Sequence, residues 1–137
     1  MSVPSTWAAR TVHVERQRVR PGGPSTTTRS THFTVLSGPQ ASDYIVRADG
    51  PLDLESAAVF QEALLDALVG WPNRVIVDMT WVTHIDHSCI DVLMSTQRRG
   101  EAASTRMVLQ APSPVVEQEL DQAGYRDLLP IRRLPQA

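Results

Sequence analysis

The sequence contains no lysine and one cysteine, Cys89, and aromatic residues make up only 5% of its 137 residues. A single cysteine excludes an internal disulfide framework and a metal site built from cysteines alone. The scarcity of aromatic side chains argues against the stacking platforms that bind single-stranded nucleic acid. No run approaches the about 20 apolar residues of a membrane-spanning helix, and the first 30 residues lack the apolar centre of a secretory signal. We therefore predict a cytoplasmic protein without a membrane contact.

Charge is distributed unevenly along the chain. Residues 1–31 hold five arginines and one glutamate, a net charge of +4, whereas the whole chain has a net charge of −2. The overall balance argues against direct binding to nucleic acid. Residues 21–24 read Pro-Gly-Gly-Pro and precede a run of serine and threonine, so this segment has too little apolar surface to offset its ordering entropy. We predict a flexible basic arm over 1–31, in which Thr11–Val14 could add a short strand, and one folded domain over 32–137.

Hydrophobic patterning over the folded domain predicts alternating strands and helices. Strands are predicted at 33–36, 44–48, 75–77 and 107–109, with a last short strand at 128–131. Helices are predicted over 54–69, over 87–103 and from Pro114 to a stop at Gly124. Asp53 and Ser113 stand where helix N-caps are expected, and Val82 and Ile85 are assigned to a loop that reaches Asp86. The order β-β-α-β-α-β-α predicts an α/β fold, with a mixed sheet and helices packed on it.

Four motifs stand at the ends of these elements. They are Gly50–Asp53 before the first helix, Val75–Met79, Val82–Ile90, and Ala111–Val116 followed by Ala123–Tyr125. Taken together, they resemble the Gly-Glu-Leu-Asp turn, the central strand, the Val-Thr-Phe-Ile-Asp-Ser-Ser-Gly-Leu segment and the Pro-Ser-Pro helix of the STAS domain family, the bacterial anti-sigma-factor antagonists. The resemblance covers about residues 33–131 and implies a STAS-like fold.

The resemblance also implies a function. Members of this family are not enzymes and need no cofactor; they bind an anti-sigma factor that has the fold of a GHKL-type serine kinase. The kinase phosphorylates a serine directly after the conserved motif's aspartate, which breaks the complex, and a PP2C-type phosphatase restores it. A phosphate there adds about two negative charges at the edge of an interface. The expected role is regulation of transcription, as in a bacterial stress response, by partner switching.

This sequence departs from the family pattern at the switch itself. His87 stands at the position of the phosphorylated serine, and Ser88 matches the second serine of the motif. Cys89 and Asp91 stand where small residues are usual. Three alternatives follow: Ser88 is the phosphorylated residue instead, the protein binds its partner constitutively, or it has diverged to another partner. Ser88 projects about 100° around the helix from His87, which favours the last two.

The partner-binding surface is predicted at the edge where strands end and helices begin, because open α/β sheets place ligand contacts there. Asp53 and Asp86 are also expected to cap helices. Trp81 could be a core residue or an interface anchor. The predicted partner-binding residues are Leu52, Asp53, Trp81, His84, Asp86, His87 and Ser88, with Ser88 as the candidate phosphorylation site.

Other chemistries fit less well. His84, Asp86, His87 and Cys89 have spacings seen at metal sites, but the family resemblance already explains them, so no metal is predicted. A serine hydrolase is disfavoured because nothing supplies an oxyanion site. The alternative function is a non-phosphorylated STAS scaffold, or a small-ligand-binding subunit of a sensory or transport assembly. The family commonly has a further C-terminal helix, so we expect a sheet face that a homodimer, a partner helix or the arm could cover.

Overall fold

The computed structural model describes residues 8–18, 27–37, 43–69 and 72–132. Within these ranges six strands and three α-helices follow one another along the chain. In chain order they are β1 (Ala8–Arg18), β2 (Thr27–Ser37), β3 (Asp43–Leu52), α1 (Leu54–Leu68), β4 (Arg74–Ile85), α2 (His87–Ala102), β5 (Arg106–Gln110), α3 (Pro114–Ala123) and β6 (Ile131–Arg132). A single 3-10 turn, Arg126–Leu128, lies between α3 and β6.

The strands form one mixed sheet in the order β1-β2-β3-β4-β5-β6. β1, β2 and β3 are antiparallel neighbours, whereas β3, β4, β5 and β6 are parallel. Each parallel pair is joined by one helix, and successive right-handed crossovers in one direction put all three helices on the same face. The predicted α/β architecture, a mixed sheet with helices packed on it, is confirmed.

The core lies between this face and the helices. Strands β3 and β4 contribute Val46, Val75 and Val77, which are fully buried. The rings of Phe33 on β2 and Phe60 on α1 stack with their centroids 5.7 Å apart. Buried leucines of α1, α2 and α3 belong to the same cluster, which gives the domain a single core. Burial of each such side chain contributes about 1.5–3 kcal/mol, so this core rather than any ion pair dominates the stability of the domain.

The structure differs from the predicted flexible arm over part of 1–31. Residues Ala8–Arg18 form β1, which pairs with β2 from Ala8↔Ser37 to Arg18↔Thr27. Val14 packs against the core, and the Arg10 side chain forms an ion pair with Asp66 of α1. The possible short strand at Thr11–Val14 is confirmed as part of β1, but its length was not predicted, because strand pairing supplies backbone hydrogen bonds that local apolar content does not reveal. The Pro-Gly-Gly-Pro segment at 21–24 lies outside the described residues.

Two further details differ from the sequence prediction. The segment 82–85 is not a loop: β4 continues to Ile85 alongside β3, with register shifts at Arg47/Asp49 and Gly50/Pro51. Ser113 precedes α3, but its hydroxyl makes no cap bond and donates instead to the Val82 carbonyl oxygen at 2.8 Å. The extension of β4 carries the sheet up to the start of α2, and the serine fastens α3 to that extension.

Candidate functional site

The N-terminus of α1 is closed by a reciprocal pair of hydrogen bonds. Asp53 accepts the Ser56 backbone N–H on its Oδ1 at 3.1 Å, and the Asp53 backbone N–H donates to the Ser56 hydroxyl at 2.9 Å. Together these bonds form a capping box. The predicted N-cap is confirmed, and Ser56 is its buried partner.

The N-terminus of α2 is hydrogen-bonded to the end of β3, next to the start of α1. Asp86 Oδ1 accepts the His87 backbone N–H at 2.8 Å, and the Asp86 carbonyl oxygen accepts from the N–H of Cys89 at 3.0 Å. The Asp86 backbone N–H donates to the Leu52 carbonyl oxygen at 2.8 Å. This bond brings the ends of β3 and β4 together, so both helices start from one edge of the sheet.

Four residues at this edge, Asp53, Leu54, Asp86 and His87, are called the rim below. Leu54 and His87 are exposed, and the two aspartates are partly exposed. Both helix N-termini carry partial positive charge, which the two carboxylates complement. The rim therefore combines an exposed apolar side chain, an exposed imidazole and two partly exposed carboxylates that are held by helix-cap bonds.

Leu52 was predicted to contact a partner, but its side chain lies in the core of the domain. Leu52 is fully buried with 0% exposure, whereas Leu54 is 72% exposed. Sequence reasoning missed Leu54, although a signal was present. Phe60 follows Leu54 by six positions, which is about 240° around the helix. Leu54 therefore lies on the side of α1 away from its buried face.

Ser88 and His87 differ in access. The Ser88 hydroxyl oxygen is buried and makes no hydrogen bond within the part of the chain that the structure describes. His87, one residue earlier, is exposed at the first position of α2. In this conformation the candidate phosphorylation site turns its nucleophilic oxygen away from solvent.

Trp81 and His84 lie apart from the rim. Trp81 pairs in register with Asp49 of β3, is 54% exposed, and has the Arg47 guanidinium carbon 5.8 Å from its ring centroid. His84 is also exposed and pairs in register with Pro51. Trp81 directly precedes the buried Val82 and His84 directly precedes the buried Ile85, so each points away from the helices. The predicted set thus divides between the rim and the opposite face of the sheet, and Trp81 is not a core residue.

Cys89 is a packed thiol behind the rim. It is fully buried, and its Sγ donates to the Asp53 carbonyl oxygen at 3.5 Å. Burial raises the pKa of the Cys89 thiol to about 11. The thiol is protonated at neutral pH, so it lacks the thiolate character of a nucleophile or metal ligand.

Strand β2 supports the end of β3 just before α1. The Thr31 hydroxyl donates to the Pro51 carbonyl oxygen at 2.5 Å in a buried bond. Gly50 has φ +110°, and a Cβ atom there would lie 2.5 Å from the Ser30 carbonyl oxygen. Only glycine fits this close approach between strands, so β2 and the turn before α1 form one unit.

Neither a metal site nor a membrane helix is found in the described ranges. No three histidine, cysteine, aspartate or glutamate side chains among residues 8–18, 27–37, 43–69 and 72–132 come together to hold a metal ion. No helix in these same ranges is both long and apolar enough to cross a bilayer.

Comparison with known proteins points to one family. The family model described as the STAS domain matches residues 36–135. The fold is similar to that of the anti-sigma factor antagonist SpoIIAA in its unphosphorylated form, with a TM-score of 0.56, 20% identity, and coverage of 69% of this chain and 82% of the other. SpoIIAA of Bacillus in the phosphorylated form has a TM-score of 0.56 and 19% identity, with 69% of this chain and 85% of the other covered.

An anti-sigma factor antagonist from Mycobacterium paratuberculosis covers more of the chain. Its TM-score is 0.62 at 12% identity, with 96% of this chain and 90% of the other covered. At these identities the structural likeness shows the fold alone. No curated protein matches the sequence.

Proposed function

Because this chain belongs to the STAS domain family, whose model spans residues 36–135, we propose that it is an anti-sigma-factor antagonist that acts by binding and not by catalysis. Two solved relatives, SpoIIAA and the Mycobacterium paratuberculosis protein, are described as anti-sigma factor antagonists, which supports this proposal. The partner is an anti-sigma factor with a GHKL-type serine-kinase fold in a bacterial cytoplasm. Its capture frees a sigma factor and changes transcription under stress.

The rim is the observation that carries this proposal. The bond from the Asp86 N–H to the Leu52 carbonyl oxygen at 2.8 Å holds the two helix starts side by side. Leu54 at 72% exposure is an apolar contact on an otherwise polar edge. An apolar side chain surrounded by pre-placed polar groups matches the general build of an interface, which has an apolar centre and a polar border. Trp81 and His84 extend the proposed surface onto the opposite sheet face.

Partner binding in this proposal is constitutive. His87 is exposed at the position where the family has its phosphorylated serine, and an imidazole is not a substrate for a serine kinase. The Ser88 hydroxyl is buried, so phosphorylation there requires the first turn of α2 to open. A complex that is not broken by phosphate has no need of a PP2C-type phosphatase.

A pull-down from native cells with the full chain as bait tests both parts. Captured proteins are identified by mass spectrometry, and phosphate on the bait is mapped in the same run. We expect capture of a GHKL-type kinase and no phosphate on Ser88 at rest or under stress. Capture of a transporter or sensor without such a kinase would refute the antagonist function, and phosphate on Ser88 would refute constitutive binding alone.

Helix α1 offers a matched pair of variants for the surface. Leu54 and Val69 are exposed to 72% and 73% and stand at opposite ends of this helix. Leu54→Arg is expected to reduce capture of the kinase at least about tenfold, since a hot-spot residue contributes more than about 1.4 kcal/mol. Val69→Arg adds the same charge far from the rim and is expected to leave capture unchanged. Equal losses from both variants would remove the rim from the interface.

The alternative function is a small-ligand-binding subunit of a sensory or transport assembly, and one observation favours it. A cavity of about 340 Å³ lies between the C-terminal ends of α1 and α2. Its lining residues in the described ranges are Leu65, Leu68, Val69, Arg99 and Ala103. Thermal-shift measurements with GTP, ATP and common metal ions test the alternative: a saturable rise in melting temperature supports it, and no rise from any of them removes it.

A further inference from the structure

The two edges of the sheet are built differently. At one edge, β6 has two residues and follows Pro130. A short edge strand and a proline both hinder pairing with another strand. At the other edge β1 has 11 residues, contains no proline or glycine, and keeps continuous register with β2. Within the described ranges β1 pairs with β2 alone. Its outer side therefore presents a row of backbone donors and acceptors that need partners.

Residues 11–14, in the middle of β1, include no arginine, lysine, aspartate or glutamate. The charged residues of β1 lie on either side of its middle: Arg10 forms an ion pair with Asp66 of α1, and Glu15, Arg16 and Arg18 follow Val14. Residues 11–14 themselves read Thr-Val-His-Val. Thr11 is exposed and Val12 is 39% exposed, so the edge carries β-branched side chains that favour strand pairing.

We propose that β1 is a dimerisation edge, where it pairs antiparallel with β1 of a second copy of this chain. An antiparallel strand edge is its own complement under a two-fold axis, because each outward donor meets an outward acceptor of the same sequence. Pairing centred near Val12 joins two six-stranded sheets into one continuous sheet of twelve strands. The rim and α2 lie beyond β3 in the sheet order and are not used by this contact.

Sedimentation velocity on the full chain over a range of concentrations tests the dimer. Hydrogen exchange at low and high concentration tests where it forms. Successive residues of an edge strand turn their amides alternately toward the neighbour and away. We expect a reversible dimer and slower exchange, on raising the concentration, at every second amide of β1. A chain that stays monomeric throughout, or a dimer without that alternation, overturns the proposal.

Charge variants at the two edges provide the control. Thr11→Lys places a cation on an exposed position of the pairing strand, and we expect the dimer dissociation constant to rise at least about tenfold. Leu128→Lys adds the same charge near β6 at a residue that is 54% exposed, and we expect no change. Val12→Lys is the second β1 variant, and its melting temperature is compared with that of the native chain because Val12 also lines a groove beside α1. A dimer that neither β1 variant weakens, or that Leu128→Lys weakens equally, refutes the edge contact.

Discussion

The Thr31 hydroxyl donates to the Pro51 carbonyl oxygen at 2.5 Å, so a strand outside the parallel part of the sheet supports the turn that starts α1. The same carbonyl oxygen has one further side-chain donor, the Ser56 hydroxyl, at 3.4 Å. Since that second bond is long, the threonine is the stronger of these two side-chain donors. The rim is thus held by β2 from behind, as well as by its own helix caps.

Thr31→Val is expected to lower the free energy of unfolding by about 1–3 kcal/mol. The substitution keeps the shape of the side chain but removes the donor of the 2.5 Å bond to the buried Pro51 oxygen. Urea unfolding measures the loss. Thr34→Val is the control, since it makes the same chemical change on β2 at a partly exposed residue, and it is expected to change stability by less than about 0.5 kcal/mol. Equal effects from the two would show that the hydroxyl of Thr31 does not support the turn.

Gly50→Ala is expected to destabilise the domain by more than about 3 kcal/mol, because it combines a positive φ with a steric clash. The new Cβ would lie 2.5 Å from a backbone oxygen of β2. Gly124→Ala is the comparison: its φ is +78°, but no atom lies within 4 Å of the added Cβ. There we expect a loss of about 1 kcal/mol from backbone strain alone. Melting temperatures of the two variants separate clash from strain.

Asp53→Ala and Asp53→Asn separate the cap from the charge. Removal of the cap by alanine is expected to cost about 1 kcal/mol, whereas asparagine keeps an acceptor for the Ser56 N–H and should cost only a few tenths. Capture of the proposed partner is then compared between the asparagine variant and the native chain. An asparagine variant as unstable as the alanine variant would mean that the charge, rather than the hydrogen bond, stabilises α1.

The buried Cys89 thiol predicts a loss of stability at high pH. Burial raises its pKa from 9.0 to about 11, so the unfolded chain gives up this proton at a lower pH than the folded one. The unfolded state then binds fewer protons, and the free energy of unfolding decreases as pH rises from about 9 to about 11. Urea titrations across this range compare the native chain with Cys89→Ala, in which this contribution to the decrease is expected to vanish. Identical pH dependence in the two proteins would contradict it.

Local patterns predicted the parallel half of the domain well. The β-branched run around Ile76 and the aspartates that precede α1 and α2 act locally, and the structure confirms a strand and two helix caps. Each of these features depends on residues within one turn or one strand. The family motifs located the region of the rim, because they stand where strands end and helices begin.

Non-local relationships could not be predicted in the same way. Strand β1 exists because it pairs with β2, and no composition of residues 8–18 shows that pairing. Whether Leu52 or Leu54 is exposed depends on how the chain leaves β3. The orientation of Ser88 likewise depends on the way α2 packs on the core. A sequence pattern names such residues but does not say which way they point.

The strands stand in the sheet in the order in which they occur in the chain. Each strand therefore finds its neighbour already synthesised, and none has to insert between two strands that are already paired. A nascent chain leaving the ribosome can extend the sheet one strand at a time, from the β1–β2 hairpin to β6. Until β3 arrives, that hairpin has two open edges instead of one, which makes early synthesis the stage most exposed to mispairing.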